Sequence, residues 1–396
     1  MRMLRARRLH DLLILSTLIA TWNLARAQSG SPGPHNSSDT PTLSAVKLPP
    51  TKPELLANAH QLDALIDAHH FKVVRMVTES RIKANPKDAD AVYFLSRVKF
   101  AYQQRDEAID LAEKAVALNP NNADYRCQLA KAVGDKARNA GMFEKAKLAK
   151  IMKREGEMAL QIDPEQQDAH YGMMLFHLEA PGFVGGDKKK AHELAVDLIR
   201  INPVYGNVAF AEYKAHEKSA PQEIEEYYVK AVGADPKSYR AQFELGRFYL
   251  GTTTWKNDAI ALAEKAARAE LQIDLNRVQG YNQLAQILAQ QQHWKELDEL
   301  LIQAEKNVKD DLAPYYFAAL EILNMNQDSN RAGKYLKKYL STEPEGEEPS
   351  LAEAHWKLGL ALERLGQRKE AMNELQVAEK MRPDLEGIHK DLKRMR

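Results

Sequence analysis

Cysteine, net charge and long apolar runs are all scarce in this chain. Cys127 is the single cysteine among 396 residues, so no internal disulfide can form and the fold must be stabilised by buried side chains. Lys and Arg number 56 against 55 Asp and Glu, which leaves no excess of positive charge to attract nucleic-acid phosphates. The composition therefore predicts neither a disulfide scaffold nor a nucleic-acid-binding protein.

The one long apolar run lies near the N-terminus, from Leu12 to Ala20. Four arginines precede it, and Ala25-Arg26-Ala27 places small residues at the spacing of a cleavage site. This order predicts a secretory signal peptide over residues 1–27, cleaved before Gln28. The run is short for a transmembrane span, and an uncleaved membrane anchor is the alternative. We expect an exported protein, periplasmic or secreted, with no stable membrane insertion after cleavage.

The next segment, residues 28–52, is rich in Ser, Pro, Thr and Gly. Such a composition cannot bury enough apolar surface to offset chain entropy, and it predicts a disordered linker. Residues 1–27 hold five arginines and one aspartate, so the rest of the chain has 51 basic and 54 acidic residues, a net charge of −3. The exported form therefore gives no support for a nucleic-acid partner either.

Asn or Asp followed by Pro recurs through the rest of the chain. The series is Asn85-Pro86, Asn119-Pro120, Asp163-Pro164, Asn202-Pro203 and Asp235-Pro236, continued by Glu343-Pro344 and Arg382-Pro383. In two repeats Leu275 and Lys309 stand where the others have proline. From Pro86 to Pro383, the distances in sequence between successive members of this series are 34, 44, 39, 33, 39, 34, 35 and 39 residues. A base period of 34 with insertions in four repeats indicates a repeat architecture. Proline ends the second helix of each repeat because it has no N–H and disfavours helix in the preceding residue.

Alanines recur at fixed distances before the prolines. Because alanine is small, this pattern predicts that two helices approach closely at these positions. They stand twelve or five residues before the proline, at Ala108, Ala115, Ala191, Ala231, Ala332, Ala371 and Ala378. The last repeat, residues 352–384, is the most regular, with Leu358-Gly359, Gly366 and Pro383 in phase with these alanines.

These positions together resemble the tetratricopeptide repeat (TPR) family, whose unit is a helix–turn–helix of 34 residues. The resemblance covers about residues 53–385 and implies an all-α, right-handed superhelical solenoid of about nine repeats. Residues 386–396 are predicted to form the polar-faced capping helix that a solenoid end needs. The predicted repeat starts are Leu55, Ala89, Ala123, Gln167, Gly206, Tyr239, Val278, Ala313 and Ala352.

Repeat four contains a glycine-rich stretch, "APGFVGGDKKKA", at residues 180–191. A phosphate-binding loop needs G-x4-G-K-[ST] after a strand, and this stretch has neither. We interpret Pro181–Gly185 as five extra residues in the turn between two helices, with Asp187 as the N-cap of the second helix. Repeat three has ten extra residues that should lengthen both of its helices. The role of Pro181–Asp187 stays open, with a connector favoured and a contact site as the alternative.

No catalytic or metal-binding pattern stands out in the sequence. His192-Glu193 and His216-Glu217 lack the second histidine of an H-E-x-x-H motif, and Cys127 has no activating His or Asp at a fixed spacing. The sequence therefore predicts a protein that is not an enzyme and has no catalytic residue, metal site or cofactor.

The TPR resemblance implies a concave face formed by the first helix of each repeat, through positions 2, 5, 9 and 12. Position 5 is aromatic in six of the nine repeats, and position 9 is basic in four. Such a stripe can stack on an extended peptide and pair with its carboxylates. The alternative is that the aromatics only fill space between adjacent helices. The candidate groove residues are Tyr93, Arg97, Lys131, Tyr171, Phe210, Lys214, Phe243, Arg247, Phe317 and Trp356.

Two functions are compatible with these features. The first is an exported, non-catalytic scaffold or adaptor that binds a protein or extended peptide in the concave groove. The alternative is a small-molecule-binding accessory component of a periplasmic uptake system. A groove crossed by many side chains favours a long ligand, whereas a closed apolar pocket would favour a small one.

Overall fold

The computed structural model describes residues 58–252, 256, 258–347 and 349–395. The predicted signal peptide, the predicted linker and Leu55 lie outside the described residues. The chain divides into two compact units, Met1–Asn202 and Pro203–Arg396, which we call the N-terminal and C-terminal units. Within the described part of each unit, every α-helix packs against its neighbours in sequence in that unit, and no strand occurs, which confirms the predicted all-α fold.

The described part of the N-terminal unit contains eight α-helices and one short 3-10 helix. The α-helices are α1 (Ala59–Asp67), α2 (Phe71–Ala84), α3 (Ala89–Ala101), α4 (Arg105–Leu118), α5 (Ala123–Asn139), α6 (Met142–Ile162), α7 (Gln167–Glu179) and α8 (Lys188–Ile201). The 3-10 helix spans Gly182–Val184, between α7 and α8. In repeat three α5 and α6 have 17 and 21 residues, against 13 and 14 for α3 and α4 in repeat two, so both helices are lengthened as predicted.

The described part of the C-terminal unit contains eleven α-helices. They are α9 (Pro203–His216), α10 (Pro221–Ala234), α11 (Tyr239–Gly251), α12 (Ala259–Ile273), α13 (Val278–Gln290), α14 (Trp294–Asn307), α15 (Ala313–Asn324), α16 (Ser329–Tyr339), α17 (Leu351–Arg364), α18 (Arg368–Met381) and α19 (Glu386–Met395).

The helices pair in the order that the repeat predicts. Six first helices begin at the predicted residue: α3, α5, α7, α11, α13 and α15. The exceptions are small, since α17 begins at Leu351, one residue early, and α9 begins at Pro203, three residues early. Proline is well suited to the first turn of a helix, where its missing N–H is not needed. Pro203 therefore starts α9 as well as following the end of α8.

At several repeat boundaries the Asn or Asp forms a turn of its own. The side-chain Oδ1 of Asn85 accepts a hydrogen bond from the backbone N–H of Lys87 at 3.1 Å, and Asp163 accepts from Glu165 at 3.0 Å. Asp274 in the C-terminal unit accepts from Asn276 in the same way at 2.9 Å. These Asx turns redirect the chain from one repeat to the next.

The in-phase small residues lie where the two helices of a repeat meet. Ala108, Ala191 and Ala371 are completely buried. In repeat nine a Cβ on Gly359 would lie 2.9 Å from the Leu375 Cγ and 3.1 Å from the Ala371 carbonyl oxygen. Only small residues fit at such distances, which confirms the close helix approach expected from the sequence.

The C-terminal unit ends in the predicted cap. Helix α19 packs against α18 and buries Ile388, Leu392 and Met395. These side chains complete an apolar cluster that extends through the C-terminal unit from Tyr249 to Met395. Glu386, Lys390, Lys393 and Arg394 of α19 are exposed, so α19 covers the apolar face of the last hairpin and presents charged residues to solvent.

Six repeats join their two helices by the same short turn. One residue of each turn has a positive φ, between 53° and 75°. In repeat two this residue is Gln103, and the next N–H, of Gln104, donates to the Lys99 carbonyl at 2.9 Å. This is the Schellman arrangement of a helix C-terminus. The six left-handed residues are His69, Gln103, Lys218, Gln292, Asn326 and Gly366.

Candidate partner-binding site

The aromatic candidates of the N-terminal unit are packed inside the repeats. Tyr171 is only 1% exposed. Tyr93 is also buried, and its ring stacks on Tyr125 of the next first helix with ring centroids 5.0 Å apart. In this structure both residues fill space between adjacent helices, and a partner would reach them only if the helices moved.

The aromatic candidates of the C-terminal unit fall into two groups. Phe210 and Phe243 are buried, and Phe210 stacks on Tyr227 of α10 at 4.5 Å. Phe317 and Trp356 are partly exposed. The indole Nε1 of Trp356 donates to the Asp391 carboxylate of the cap helix at 2.9 Å, so part of this ring is covered by α19. Phe317 is therefore the aromatic candidate of this unit that is both partly exposed and not bonded to the cap.

The basic candidates of the N-terminal unit are held by neighbouring repeats. The Arg97 guanidinium pairs with Asp63 one repeat earlier and lies 4.0 Å from the Asp67 carboxylate. It also sits over the Tyr93 ring, 5.6 Å from the centroid. The Lys131 ammonium lies 4.7 Å from the centroid of the Phe100 ring. Both cations are buried, so they help to join successive first helices.

The basic candidates of the C-terminal unit keep more contact with solvent. The Lys214 side chain is 26% exposed and its Nζ lies 3.8 Å from the Glu223 carboxylate. Arg247 donates two hydrogen bonds to the buried Glu244 carboxylate, at 2.6 and 2.9 Å. Burial opposes the charge of Arg247, but Glu244, Tyr228 and Glu212 together outweigh burial and raise the pKa of the guanidinium. Loss of Arg247 would leave a buried carboxylate unpaired, which is strongly destabilising, so Lys214 is the better probe of binding.

Sequence reasoning missed a group of buried charges around repeat six. Glu212, Arg240, Glu244 and Glu270 are all buried. The Arg240 guanidinium carbon lies 3.7 Å from the centroid of the Tyr205 ring, a close cation–π contact. These residues occupy positions that solvated charges would also occupy in a helix pattern, so no pattern in the sequence indicated their burial.

Glu270 is the most deeply buried of these acids. Burial raises the pKa of its carboxyl well above the ordinary value, and the nearby Glu244 carboxylate adds to the rise. The Tyr239 hydroxyl opposes the rise in pKa, with an effect smaller than that of burial and larger than that of Glu244. We therefore expect Glu270 to keep its proton to a higher pH than an ordinary glutamate does.

The glycine-rich insertion forms an ordered loop in the N-terminal unit. Gly185 has φ of 111°, and its carbonyl lies 3.0 Å from the Nδ1 of His177. A Cβ on Gly186 would overlap the carbonyl oxygen of Ala180, so only glycine fits there. The Asp187 carboxylate accepts from the N–H groups of Lys189 and Lys190 at 3.0 and 3.3 Å, which confirms the predicted N-cap.

The histidine that holds the loop has a lowered pKa. Burial lowers the pKa of His177 below its ordinary value, against the opposing effect of the Gly185 carbonyl. The ring donates from Nδ1, because the carbonyl can only accept. The hydrogen bond of His177 and the close approach of Gly186 to Ala180 thus hold the loop in this conformation.

The described residues contain no group of three or more His, Cys, Asp or Glu that could hold a metal ion. No helix among them combines the length and the apolar character needed to cross a membrane.

Sequence comparisons find no matching family model and no matching curated protein. Among solved structures, yeast Tom70 is similar over 86% of this chain and 82% of its own, at 15% identity and a TM-score of 0.44. The APC/C hetero-tetramer Cut9-Hcn1 is similar over 86% of this chain and 90% of its own, at 12% identity and a TM-score of 0.36. Both are TPR-repeat proteins. At such TM-scores the assignment of a TPR-type fold rests on the helical hairpins of this chain.

Proposed function

We propose that this chain is a non-catalytic, exported scaffold or adaptor that binds a protein or an extended peptide along its first helices. The observation that carries the proposal is the array of stacked helical hairpins, in which equivalent positions recur from repeat to repeat. Within each unit the stacked hairpins present a row of first helices, which suits a long ligand.

The burial of the candidate residues narrows the proposed binding surface. The buried position-5 aromatics, such as Tyr171 and Phe243, support the repeats from inside. The partly exposed candidates in the C-terminal unit, Lys214 and Phe317, remain accessible to a partner. We therefore expect the binding energy in this unit to come from Lys214 and Phe317 more than from the buried rings.

The test compares two lysines of the same repeat. Lys214 on the first helix pairs with Glu223, and Lys230 on the second helix pairs with Glu226 at 2.7 Å. The tagged proteins, wild type, Lys214→Glu and Lys230→Glu, are used to capture partners from extracts of the source organism, and captured proteins are quantified by mass spectrometry. We expect Lys214→Glu to lose a partner that Lys230→Glu retains, because a charge reversal at the interface adds repulsion.

Equal capture by all three proteins would place the site elsewhere. If no protein is captured but the melting temperature rises with a small metabolite, the accessory component of an uptake system becomes the better proposal.

Export is tested separately, by N-terminal sequencing of the protein recovered outside the cytoplasm. A chain that begins at Gln28 is the expected result. A chain that still begins at Met1 would contradict cleavage and favour the uncleaved anchor.

A further inference from the structure

Repeats three and four of the N-terminal unit share one edge where their insertions meet. The Arg138 guanidinium near the end of α5 lies 3.8 Å from Glu179 at the end of α7. The 3-10 helix Gly182–Val184 packs against α6, and a Cβ on Gly185 would meet the Lys153 Nζ at 3.0 Å. The inserted loop therefore lies against α6, beside Lys153. We call residues 142–154 and 181–190 together the insertion edge.

The insertion edge exposes large apolar side chains. Phe143 and Phe183 are each 87% exposed, and Met142 is 78% exposed. Turns of the regular repeats carry polar residues at the same place, such as Gln103 and Gln104 in repeat two or Gln292 and His293 in repeat seven. An exposed phenylalanine is therefore not required to connect the two helices of a repeat.

The loop that carries Phe183 is built to hold its shape. Its backbone is closed by hydrogen bonds from Val184 to the Pro181 carbonyl at 2.9 Å and from Asp187 to the His177 carbonyl at 3.0 Å. The loop's own structure thus keeps Phe183 outside, since a flexible loop would be free to fold this ring onto the surface. A side chain held in solvent by an ordered loop is available for binding without further ordering cost.

Basic residues accompany the exposed rings. Phe143, Lys147, Lys150 and Arg154 recur every three or four residues along α6, so they lie on one face, and all four are exposed. Lys188, Lys189 and Lys190 follow the inserted loop and are exposed as well.

The acids on this edge and directly beside it are already engaged. Glu157 lies 3.7 Å from Lys153, Glu193 lies 3.6 Å from Lys189, and Glu144 lies 3.7 Å from Lys136. Asp187 caps α8. In the part of the chain that the structure describes, the following lysines of the edge make no ion pair: Lys145, Lys147, Lys150, Lys188 and Lys190. The edge therefore has an uncompensated positive charge around its apolar tips.

We propose that the insertion edge binds the surface of a membrane that contains anionic lipids. Phe143 and Phe183 would enter the boundary between headgroups and acyl chains, and the lysines would contact lipid phosphates. The two rings project from separate tips, one on α6 and one on the inserted loop, and a soft surface can receive both without a preformed pocket. A protein partner would need a cavity for each ring. This inference goes beyond the proposed function and does not depend on it.

Vesicle flotation tests the proposal with the full chain. Vesicles of phosphatidylcholine alone are compared with vesicles of phosphatidylcholine and phosphatidylglycerol. The variants are Phe143→Ser with Phe183→Ser, Lys147→Glu with Lys150→Glu, and the control Ile302→Ser, which removes an exposed apolar side chain of α14. Residues 1–27 are common to all variants, so any binding by this segment cancels in the comparison. We expect both double variants to lose about tenfold or more in affinity for the anionic vesicles, and the control to bind like the wild type.

A local probe separates the insertion edge from the N-terminal segment. Cys127 is buried, so a cysteine placed at Phe183 can be labelled selectively with an environment-sensitive fluorophore. We expect a blue-shifted, brighter emission at position 183 with anionic vesicles and no change for a label at Ile302→Cys. High salt should weaken the response because the lysine contribution is screened.

Three results would overturn the proposal. The first is an unchanged emission at position 183 in the presence of anionic vesicles. The second is binding of polyglutamate, with loss of that binding in the lysine variant and no vesicle binding, which would indicate an acidic protein partner. The third is self-association of the wild type that the double phenylalanine variant abolishes, which would indicate a second copy of this chain as the occupant.

Discussion

The turn of repeat two and the turn of repeat four join helices of the same length in different ways. Helices α3 and α7 both have 13 residues, and α4 and α8 both have 14. The first pair is joined by three residues with one left-handed backbone, Gln103. The second pair is joined by eight residues, which contain a 3-10 helix and expose Phe183. The difference shows that the repeat does not need the insertion, so the inserted residues are free to serve another purpose.

A second contrast lies in the interior. Regular repeats bury alanine and leucine where their helices meet, as Ala371 and Leu375 do in repeat nine. Repeat six instead buries charged groups, including Glu244 and Glu270. Burial of a charge lowers stability unless it is paired or neutralised, and repeat six uses both solutions, since Glu244 pairs with Arg247 and burial raises the pKa of Glu270.

The largest effect is expected at Gly186. Alanine there would overlap the Ala180 carbonyl oxygen, so the loop would have to rebuild and lose its hydrogen bonds. We expect Gly186→Ala to lower the free energy of unfolding by about 2–3 kcal/mol, measured by urea denaturation. Gly182→Ala is the matched control, because no heavy atom lies within 4 Å of a Cβ at Gly182. Equal stability of the two variants would show that the loop is not held by close contact.

The next effect concerns Glu270. Its pKa is raised in the folded protein, so above the ordinary value of 4.5 the unfolded chain releases this proton first and the stability falls as the pH rises through the folded pKa. In the Glu270→Gln variant, residue 270 has no proton to release on unfolding. We expect the variant to be more stable than wild type at neutral pH, by about 1–2 kcal/mol, with the difference shrinking as the pH falls toward 4.5.

Unfolding measured across pH 4 to 8 checks this expectation. Glu299→Gln, at an exposed acid of α14, is the control and should leave the pH profile unchanged. A Glu270→Gln variant with the pH profile of wild type would mean that Glu270 is not neutral in the fold.

A smaller effect is expected from exchanging the left-handed residues of two regular turns. Gln292 has φ of 60° and Gly366 has φ of 75°, and glycine adopts this backbone without a steric cost. We expect Gln292→Gly to raise the free energy of unfolding and Gly366→Gln to lower it, each by about 1 kcal/mol. Thermal unfolding of both variants checks whether the two changes in stability have opposite signs. Changes of the same sign would contradict the explanation.

The repeats themselves were predictable from the sequence. Proline, alanine and glycine recur at fixed positions of the repeat, and this periodicity predicted the first residues of α3, α5 and α13 correctly. The conformation of the turns was not predictable, because five of the six left-handed residues are not glycine. Their backbone is imposed by the meeting of two helices, which a local pattern does not report.

The candidate site was predictable only in part. Position 5 identified aromatics in register, but a sequence cannot distinguish Tyr171, which is buried, from Phe317, which is partly exposed. The difference depends on how closely the next repeat packs. The exposure of Phe183 also required the structure, since the sequence left the insertion either as a connector or as a contact site.

The most direct test of this account is thermal unfolding, followed by circular dichroism, of a variant that lacks Pro181–Gly185. The deletion joins Ala180 to Gly186 and Asp187, which restores a three-residue turn with glycine in the middle, as in Leu365, Gly366 and Gln367 of repeat nine. We predict the helix content of wild type and a stability change below about 1 kcal/mol, because shortening a surface loop changes closure entropy little. A large loss of helix or of cooperative unfolding would show that the insertion is part of the fold, and would contradict the account.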